Sequence, residues 1–549
     1  MDTIEYPVPG VMEEARPAPK ASLAFWSVLL LLGGIGILLL MEWFLFPLTV
    51  DDAYISYHFA NNLADGHGLV WHPGVDPVEG FTNFLWVVIL SLSSVAGFDV
   101  VVTAKLLGVI FSVASVIVIY RIVRRVDTGS LGVMPAILLA ATPAFALWSV
   151  SGLETSLFIF LLILALYQYL VEEDRLNTGP QRYWSVFWFM LLGMTRPEGA
   201  VVFILLVGLR LITWARRDSA RRGLKSYLRW LIPVVLVGLA YFLWRWNYFG
   251  YPLPNTFYVK AQSGPSQIAR QIGVYLLPYA YRIFPFILLA LFAVGASRVL
   301  PKFYVIIGTA LASLAMVNLF SSDWMPGHRL ALPMTPLIYL LAHRPLESLL
   351  KRVFLETKLR QRITYGLTLA GLVLFAALPF LYTAPLFNRV MATQMDMSIY
   401  RWAEEMQTIV DGQYARIGSW LAENAPEDCS VVAGNVGAIA YLSECNVIDQ
   451  IGLTSEHIAR NGWTVDYLLS LDPDFIVIES DTPDEFGGLY GTGGERWMKD
   501  DRFLEGYEML FVLDNDRTDE AALFIHHLPH ATWLFARKDL NLAAGFPVN

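Results

Sequence analysis

Long apolar runs separated by short polar turns fill the first 383 residues, and the remaining 160-odd residues switch to shorter mixed segments. A helix needs roughly 20 apolar residues to cross a ~30 Å hydrocarbon core. By that measure the pattern predicts eleven spans, at approximately 21–46, 101–120, 131–150, 154–171, 183–195, 199–214, 230–249, 277–297, 302–319, 330–342 and 364–383. The run 84–97 is apolar but too short to cross, so it is expected as an interfacial or re-entrant helix. Between the first two spans, "TVDDAYISYHFANNLADG" reads as an amphipathic helix with Ile55, Phe59 and Leu63 on its apolar stripe and a stop near Gly66. Thr49 followed three residues later by Asp52 fits a capping box at its start.

Charge fixes the expected orientation. With the amino terminus inside, the basic loops "RIVRRVD", "WARRDSARRGLKSYLR", "SRVLPK" and "HRPLESLLKRVFLETKLRQR" all fall in the cytoplasm, as the positive-inside rule requires. Counting 84–97 as a crossing would invert the later loops. Segment 47–100 and the tail from 384 are then expected on the outer face of the plasma membrane. The tail alternates helical stretches ("YARIGSWLAENAP", "TVDYLLSLDP") with short β-rich ones ("CSVVAG", "DFIVIES"), the pattern of a small α/β domain. The division is therefore 1–383, membrane part, and 384–549, external α/β domain.

Composition supports this reading: of 549 residues 56% are hydrophobic and 16% charged, far from a soluble average. The net charge is −9, and the tail from Asn388 holds 27 acidic against 10 basic residues. Such a tail argues against nucleic acid as a partner, which requires clustered Lys and Arg. The only two cysteines, Cys429 and Cys445, both lie in the tail, where an oxidising compartment favours a disulfide.

Capping needs only one carboxylate, yet Asp51 and Asp52 are adjacent, and like charges at one helix start repel unless a dipole, cation or metal offsets them. Other outward turns add polar groups. These are Glu154 in "SGLET", Arg196 and Glu198 in "MTRPEG", Asn255, Tyr258 and Lys260 in "YPLPNTFYVK", and Asp323, Trp324, His328 and Arg329 in "SSDWMPGHRL". Tyr54, His58, Glu79 and Asn83 come from the first external segment. One polar cleft with paired acids, cations and aromatics suits sugar transfer from a lipid phosphate: cations stabilise the leaving phosphate and one carboxylate takes the proton of the attacking hydroxyl. Asp51 and Asp52 are also the candidate ligands of a divalent cation, Mg, Mn or Ca. Several look-alikes carry less. "DPD" at 472–474 is a turn between helix and strand, "YGTGGER" lacks the residues of a P-loop, and His58, His67 and His72 match no common zinc spacing.

The segments "DDAYISYHFANNLADGHGLVWHPGVDPVEGFTNFLW", "SGLETSLF", "GMTRPEG", "GYPLPNTFYVK" and "DWMPGHRLALP" together resemble the membrane-embedded GT-C glycosyltransferases. They are most similar to the mycobacterial terminal β-(1→2) arabinofuranosyltransferases and the related pilin arabinosyltransferases, and the likeness continues through "GNVGAIAYLSECNVIDQIGLT" in the tail. The resemblance implies a polytopic α-helical membrane protein of GT-C type with a C-terminal extracytoplasmic α/β domain. It also implies a polyprenyl-phosphate arabinofuranose donor, a glycan acceptor, and catalysis by an acidic motif in the first external loop, hence by Asp51 and Asp52. A mannosyl or other hexosyl transferase is the nearest alternative. A lipid-sugar transporter is the alternative from another class, and it predicts ionisable groups near the bilayer midplane and two related halves.

Overall fold

A computed structural model describes residues 21–126, 132–175, 183–215, 220–260, 265–295, 301–320, 325, 327–354, 367, 371, 399–480, 493–514, 531–540 and 542. Among these, four helices are long and apolar enough to cross a membrane: Ser27–Leu45, Val100–Arg125, Thr155–Arg175 and Tyr227–Phe249. A fifth crossing results if Ile268–Arg282 and Phe284–Gly295, bent by 81° at their junction, act as one. The sequence pattern counted eleven spans; two of these, 199–214 and 330–342, fall on the helices Pro197–Ala215 and Met334–Phe354, and several others are apolar but short or broken. Segment 131–150 divides into Met134–Ala140 and Pro143–Val150, because a proline at the second helix start forces the preceding Thr142 into the extended region (φ −85°, ψ 111°). Trp184–Thr195 and Lys302–Asn318 are apolar but shorter than a full crossing, and the expected span at 364–383 lies outside the described residues apart from Leu367 and Gly371. The run 84–97 forms the 12-residue helix Phe84–Val95, about 18 Å long and so too short to span alone.

The amphipathic stretch after the first span is the helix Asp51–Ala64. Two expectations about it are corrected. Val50, with extended backbone, is its N-cap and no side chain caps it, so Thr49 and Asp52 form no capping box; Thr49 instead donates its N–H to Gln407 Oε1 at 3.0 Å. Nor does the helix keep a solvated polar face. Ser56 and Asn83 hydrogen-bond each other at 3.0 Å, His58 Nε2 donates to the Trp71 carbonyl at 2.6 Å, and Asn62 donates to the Val70 and Trp71 carbonyls at 3.0 and 3.1 Å. Their partners within residues 70–83 and the packing of the tail let that face be buried at little cost.

The tail forms a five-stranded mixed sheet, β1 Ser430–Ala433, β2 Asn446–Asp449, β3 Phe475–Ser480, β4 Tyr507–Asp514 and β5 Ala531–Arg537, in the order β2-β1-β3-β5-β4. β2, β1 and β3 run parallel, and β5 and β4 complete the sheet antiparallel. Alternation along the buried strands divides the core. Val431, Phe475 and Val477 join the helix Ala415–Asn424 and the large core of the membrane part, whereas Val432, Ile476 and Ile478 pack on Ile458, Leu468 and Phe503 on the other face. The helix Ile399–Ile409 buries Ile399, Trp402, Ala403, Met406 and Ile409, one stripe at helical spacing, and Trp402 meets Trp148 at 6.0 Å between ring centroids. The tail and the membrane part thus share one continuous core. Cys429 and Cys445 are bonded to each other and tie the entry of β1 to that of β2.

Candidate active site

Four apolar helices and the amphipathic helix Asp51–Ala64 place their polar ends together. The chain leaves Ala21–Leu45 and enters Asp51–Ala64; Thr155–Arg175 begins just after Glu154; Trp184–Thr195 ends at Arg196, and Pro197–Ala215 begins there. The far ends of the last three meet separately, where Arg210 pairs with Glu172 at 3.4 Å and Glu173 at 2.9 Å and Ser185 Oγ donates to Glu172 at 2.7 Å. An up-and-down arrangement therefore puts Asp52, Glu154, Arg196 and Glu198 at the opposite end, where they line one cavity of about 630 Å³ with Asn83 and Arg329.

Within it the charges form two linked groups. Arg196 Nε lies 3.6 Å from Glu154 Oε1 and its Nη2 lies 3.4 Å from Glu198 Oε1. Its Nη1 is buried with no hydrogen-bond partner among the described residues, so one donor edge is unused. Glu154 is held from the other side by Asn83 Nδ2 at 2.8 Å. Across the cavity, Arg329 Nη1 lies 3.6 Å from Asp52 Oδ2 and its guanidinium sits 5.5 Å from the Trp148 ring centroid. Arg329 and Asp52 thus form an ion pair on the wall of the cavity. Phe257, Phe320 and Met316 also line the cavity and are exposed at 49%, 60% and 44%, so its mouth opens on an apolar surface.

Close backbone approach makes this packing possible. Gly152, at φ +93°, lies where an added Cβ would meet the Tyr57 hydroxyl at 2.0 Å and Ala53 Cβ at 3.0 Å. Trp86 Nε1 donates to its carbonyl at 3.1 Å. Only a residue without a side chain lets the Asp51–Ala64 helix rest on the turn that delivers Glu154.

The other described candidates lie around this cavity rather than in it. Asp51 is 8% exposed and turns away from Asp52: its Oδ2 and Oδ1 accept the N–H groups of Gly437 and Ala438 at 3.0 and 2.8 Å. Burial pushes its carboxyl up to about 7, against the pull of those two donors, with Asp52 and Glu479 adding to the rise. Both oxygens of Asp51 thus accept N–H groups of the tail, and among the described residues no group of three His, Cys, Asp or Glu side chains is placed to hold a metal. Tyr54 meets Tyr441 of the tail at 5.4 Å between centroids. His58 is buried against Trp71, and burial lowers it to about 4. Glu79 pairs with Arg245 at 2.5 Å, and burial pushes it up to about 7 although Arg245 pulls it down.

Asn255 and Tyr258 turn toward the tail. Asn255 Nδ2 lies 2.7, 3.0 and 3.2 Å from the Gly452, Leu453 and Ser455 carbonyls, and Tyr258 packs with Tyr251 against Arg460. His328, at φ +57°, is caged by Tyr275 and Tyr279, while Arg329 and Leu330 of that turn reach the cavity. The Lys260 side chain, Asp323 and Trp324 lie outside the described part. In the tail, Asp472 and Asp474 of "DPD" pair with Arg537, and Asp474 also accepts from Ser430.

Four contributors had gone unmarked. Arg245, a lone arginine in the apolar run 230–249, carried a sequence signal. Ser56, Trp148 and the cavity-lining Leu453 of the tail carried none that is local.

The family described as "Domain of unknown function (DUF8728)" matches residues 400–525, within the tail. No curated protein matches the chain. Among solved structures, the chain is similar to the archaeal oligosaccharyltransferase AglB from Archaeoglobus fulgidus, in complex with an inhibitory peptide and a dolichol-phosphate. That likeness has a TM-score of 0.51 and 11% identity over 84% of this chain and 70% of that one. It is similar also to ArnT from Cupriavidus metallidurans bound to undecaprenyl phosphate, with a TM-score of 0.50 and 16% identity over 83% and 94% of the two chains. Arabinofuranosyltransferase AftD from mycobacteria aligns with a TM-score of 0.47 and 14% identity over 95% of this chain and 40% of that one. The first two likenesses establish a GT-C-like fold for this chain.

Proposed function

We propose that the chain is a membrane glycosyltransferase that moves a sugar, arabinofuranose, from a polyprenyl-phosphate donor to a hydroxyl of a cell-envelope glycan on the outer face of the plasma membrane. The observation that carries the reading is the cavity itself, where three carboxylates and two guanidinium groups lie behind an apolar mouth. A prenyl chain suits that mouth, formed by Phe257, Phe320 and Met316. The donor phosphate suits the guanidinium groups of Arg196 and Arg329 that line the cavity, because planar guanidinium groups bind phosphate oxygens in pairs. The acceptor oxygen attacks C1 of the sugar as Asp52 takes its proton, and the bond from C1 to the phosphate oxygen breaks with its electron pair leaving on the phosphate. Glu154 and Glu198 hold Arg196 in place. No step is assigned to a metal. Both archaeal AglB and ArnT are described with lipid phosphates, which supports a lipid-linked donor. Arabinose as the sugar rests on the likeness of the sequence segments.

The test is transfer by the full chain in liposomes, from synthetic decaprenyl-phosphoryl-arabinofuranose to a defined arabinofuranosyl oligosaccharide, alongside mannosyl and glucosyl donors, with and without chelator. Transfer from the arabinosyl donor is expected, its response to chelator reading whether a divalent cation takes part, with Asp52→Asn lowering turnover by about 1,000-fold, within the range of general base removal. Preference for a hexosyl donor would replace the sugar. Near-normal turnover in Asp52→Asn would refute the mechanism.

A further inference from the structure

The two adjacent acids at the start of Asp51–Ala64 separate. Asp52 lines the cavity, and Asp51 reaches 386 positions along the chain to the backbone of Gly437. That contact is tight. A Cβ on Gly437 would lie 2.0 Å from the Asp51 carbonyl oxygen and 3.0 Å from Oδ2, so any side chain there must separate the two elements. The helix Gly437–Ser443 also presses Tyr441 against Tyr54 and Tyr57, at 5.4 and 6.0 Å between centroids.

From the same part of the tail, the turn after β2 reaches the cavity. Asp449 shapes it by accepting the N–H groups of Ile451, Gly452 and Thr454 at 2.8, 3.0 and 2.8 Å. Asn255 pins its carbonyls from the membrane part. Leu453 at its tip lines the cavity, and Thr454 lies so near Gly80 that an added Cβ there would sit 2.6 Å from Thr454 Cγ2. The tail therefore supplies one wall of the site, and its seat on the membrane part runs through Asp51.

We propose that Asp51 is a positioning residue: it docks the α/β domain on the helix that carries Asp52, so that Leu453 closes the cavity over the reacting groups and keeps water from competing with the acceptor. The proposal rests on Asp52 as the base in the function described above. It explains why the acid pair is adjacent without giving both members the same chemistry.

The test compares Asp51→Ala and Gly437→Ala in the full chain in liposomes, each alone and with the cysteine pair Gly80→Cys/Thr454→Cys as an oxidisable tether across the same interface. Transfer and donor hydrolysis are followed with decaprenyl-phosphoryl-arabinofuranose and the arabinofuranosyl oligosaccharide, and docking by amide hydrogen exchange over 437–443 and 449–455. Each single variant is expected to lose about 100-fold in kcat/KM, as misplacement of a supporting element does. Each should also raise the share of donor lost to water and speed exchange in both segments. The oxidised tether restores transfer in both backgrounds and reduction removes it again. A loss in Asp51→Ala with exchange unchanged, or one that the closed tether does not restore while it restores Gly437→Ala, would overturn the proposal and make Asp51 a reacting group. Should Asp51→Ala fail to fold, Gly437→Ala with unchanged exchange and transfer would overturn it equally. If the unaltered chain transfers no sugar from any donor, the functional reading falls, and the exchange measurements alone still decide whether Asp51 docks the domain.

Discussion

Replacing Asn255 by Asp tests the roof of the cavity with almost no change of shape. The wild-type side chain is 5% exposed, and its two N–H donors serve three carbonyls of the turn 452–455. Two hydrogens allow at most two good bonds at once, each contributing about 1 kcal/mol net, so losing both donors costs about 2 kcal/mol. The new carboxylate also faces carbonyl oxygens in a buried place, which adds a desolvation cost of several kcal/mol. Asn255→Asp should therefore free the turn at neutral pH, raising amide exchange over 449–455 and lowering kcat/KM while the helix Thr155–Arg175 stays protected. Burial holds the introduced acid above its ordinary range, so the docked form binds the extra proton. The deficit is then smallest below about pH 4 and grows as pH rises through the raised value. Asn255→Ala leaves the carbonyls unpaired without adding charge and should show the milder effect at every pH. If Asn255→Asp matches the wild type in exchange and turnover at pH 8, the tail does not close the cavity through this residue.

Further outcomes follow from the same geometry. Arg196→Lys cannot reach Glu154 and Glu198 together with a planar fork, so donor KM should rise by about tenfold or more with the fold retained, measured by initial rates across donor concentrations. A KM equal to wild type would exclude Arg196 from phosphate binding. Asp51 has its folded carboxyl raised from 3.8 to about 7, so the stability it lends is complete below about pH 4 and is lost as pH rises through 7, on the order of 4 kcal/mol in all. Thermal unfolding of the wild type should fall off over that window more steeply than that of Asp51→Asn, and parallel pH curves would contradict the burial of this acid. Cys429→Ser with Cys445→Ser opens a loop of 16 residues, which costs the tail about 3 kcal/mol, read as a lower melting temperature.

What the sequence revealed tracks the range of the interactions involved. Local periodicity sufficed for the tail: Val431 and Val432, or Ile476 and Val477, announce strands because each face of the sheet has its own core. Polar residues next to apolar runs located Glu154, Arg196, Glu198 and Arg329, since few reasons place such groups together at helix ends. Crossings were harder to count, because Pro143 divides an apolar stretch that hydropathy alone reads as one. Side-chain direction was hardest. Asn255 looked like a substrate ligand, but its partners are nearly 200 positions away in the tail, and no local spacing reveals a contact of that range. Thr49 was read as a cap for the same reason in reverse: a local acceptor was assumed where the tail supplies the partner.

The acid pair shows how far local geometry can go once the helix is known. Successive residues on an α-helix project about 100° apart, so neighbours at its start can face two different surroundings. Position 52 faces Arg329 and position 51 faces Gly437, while position 53 is closed off by Gly152. A helix lodged between the membrane part and the tail thus carries an acid for each side, and two adjacent positions in its first turn serve both. Moving the carboxylate by one position in either direction would lose the cavity or the domain contact. An Asp51→Ala/Ala53→Asp exchange, which keeps two acids and the net charge, should therefore fail to restore what Asp51→Ala loses. Recovery in that double variant would show that charge at the helix start matters, and not its direction.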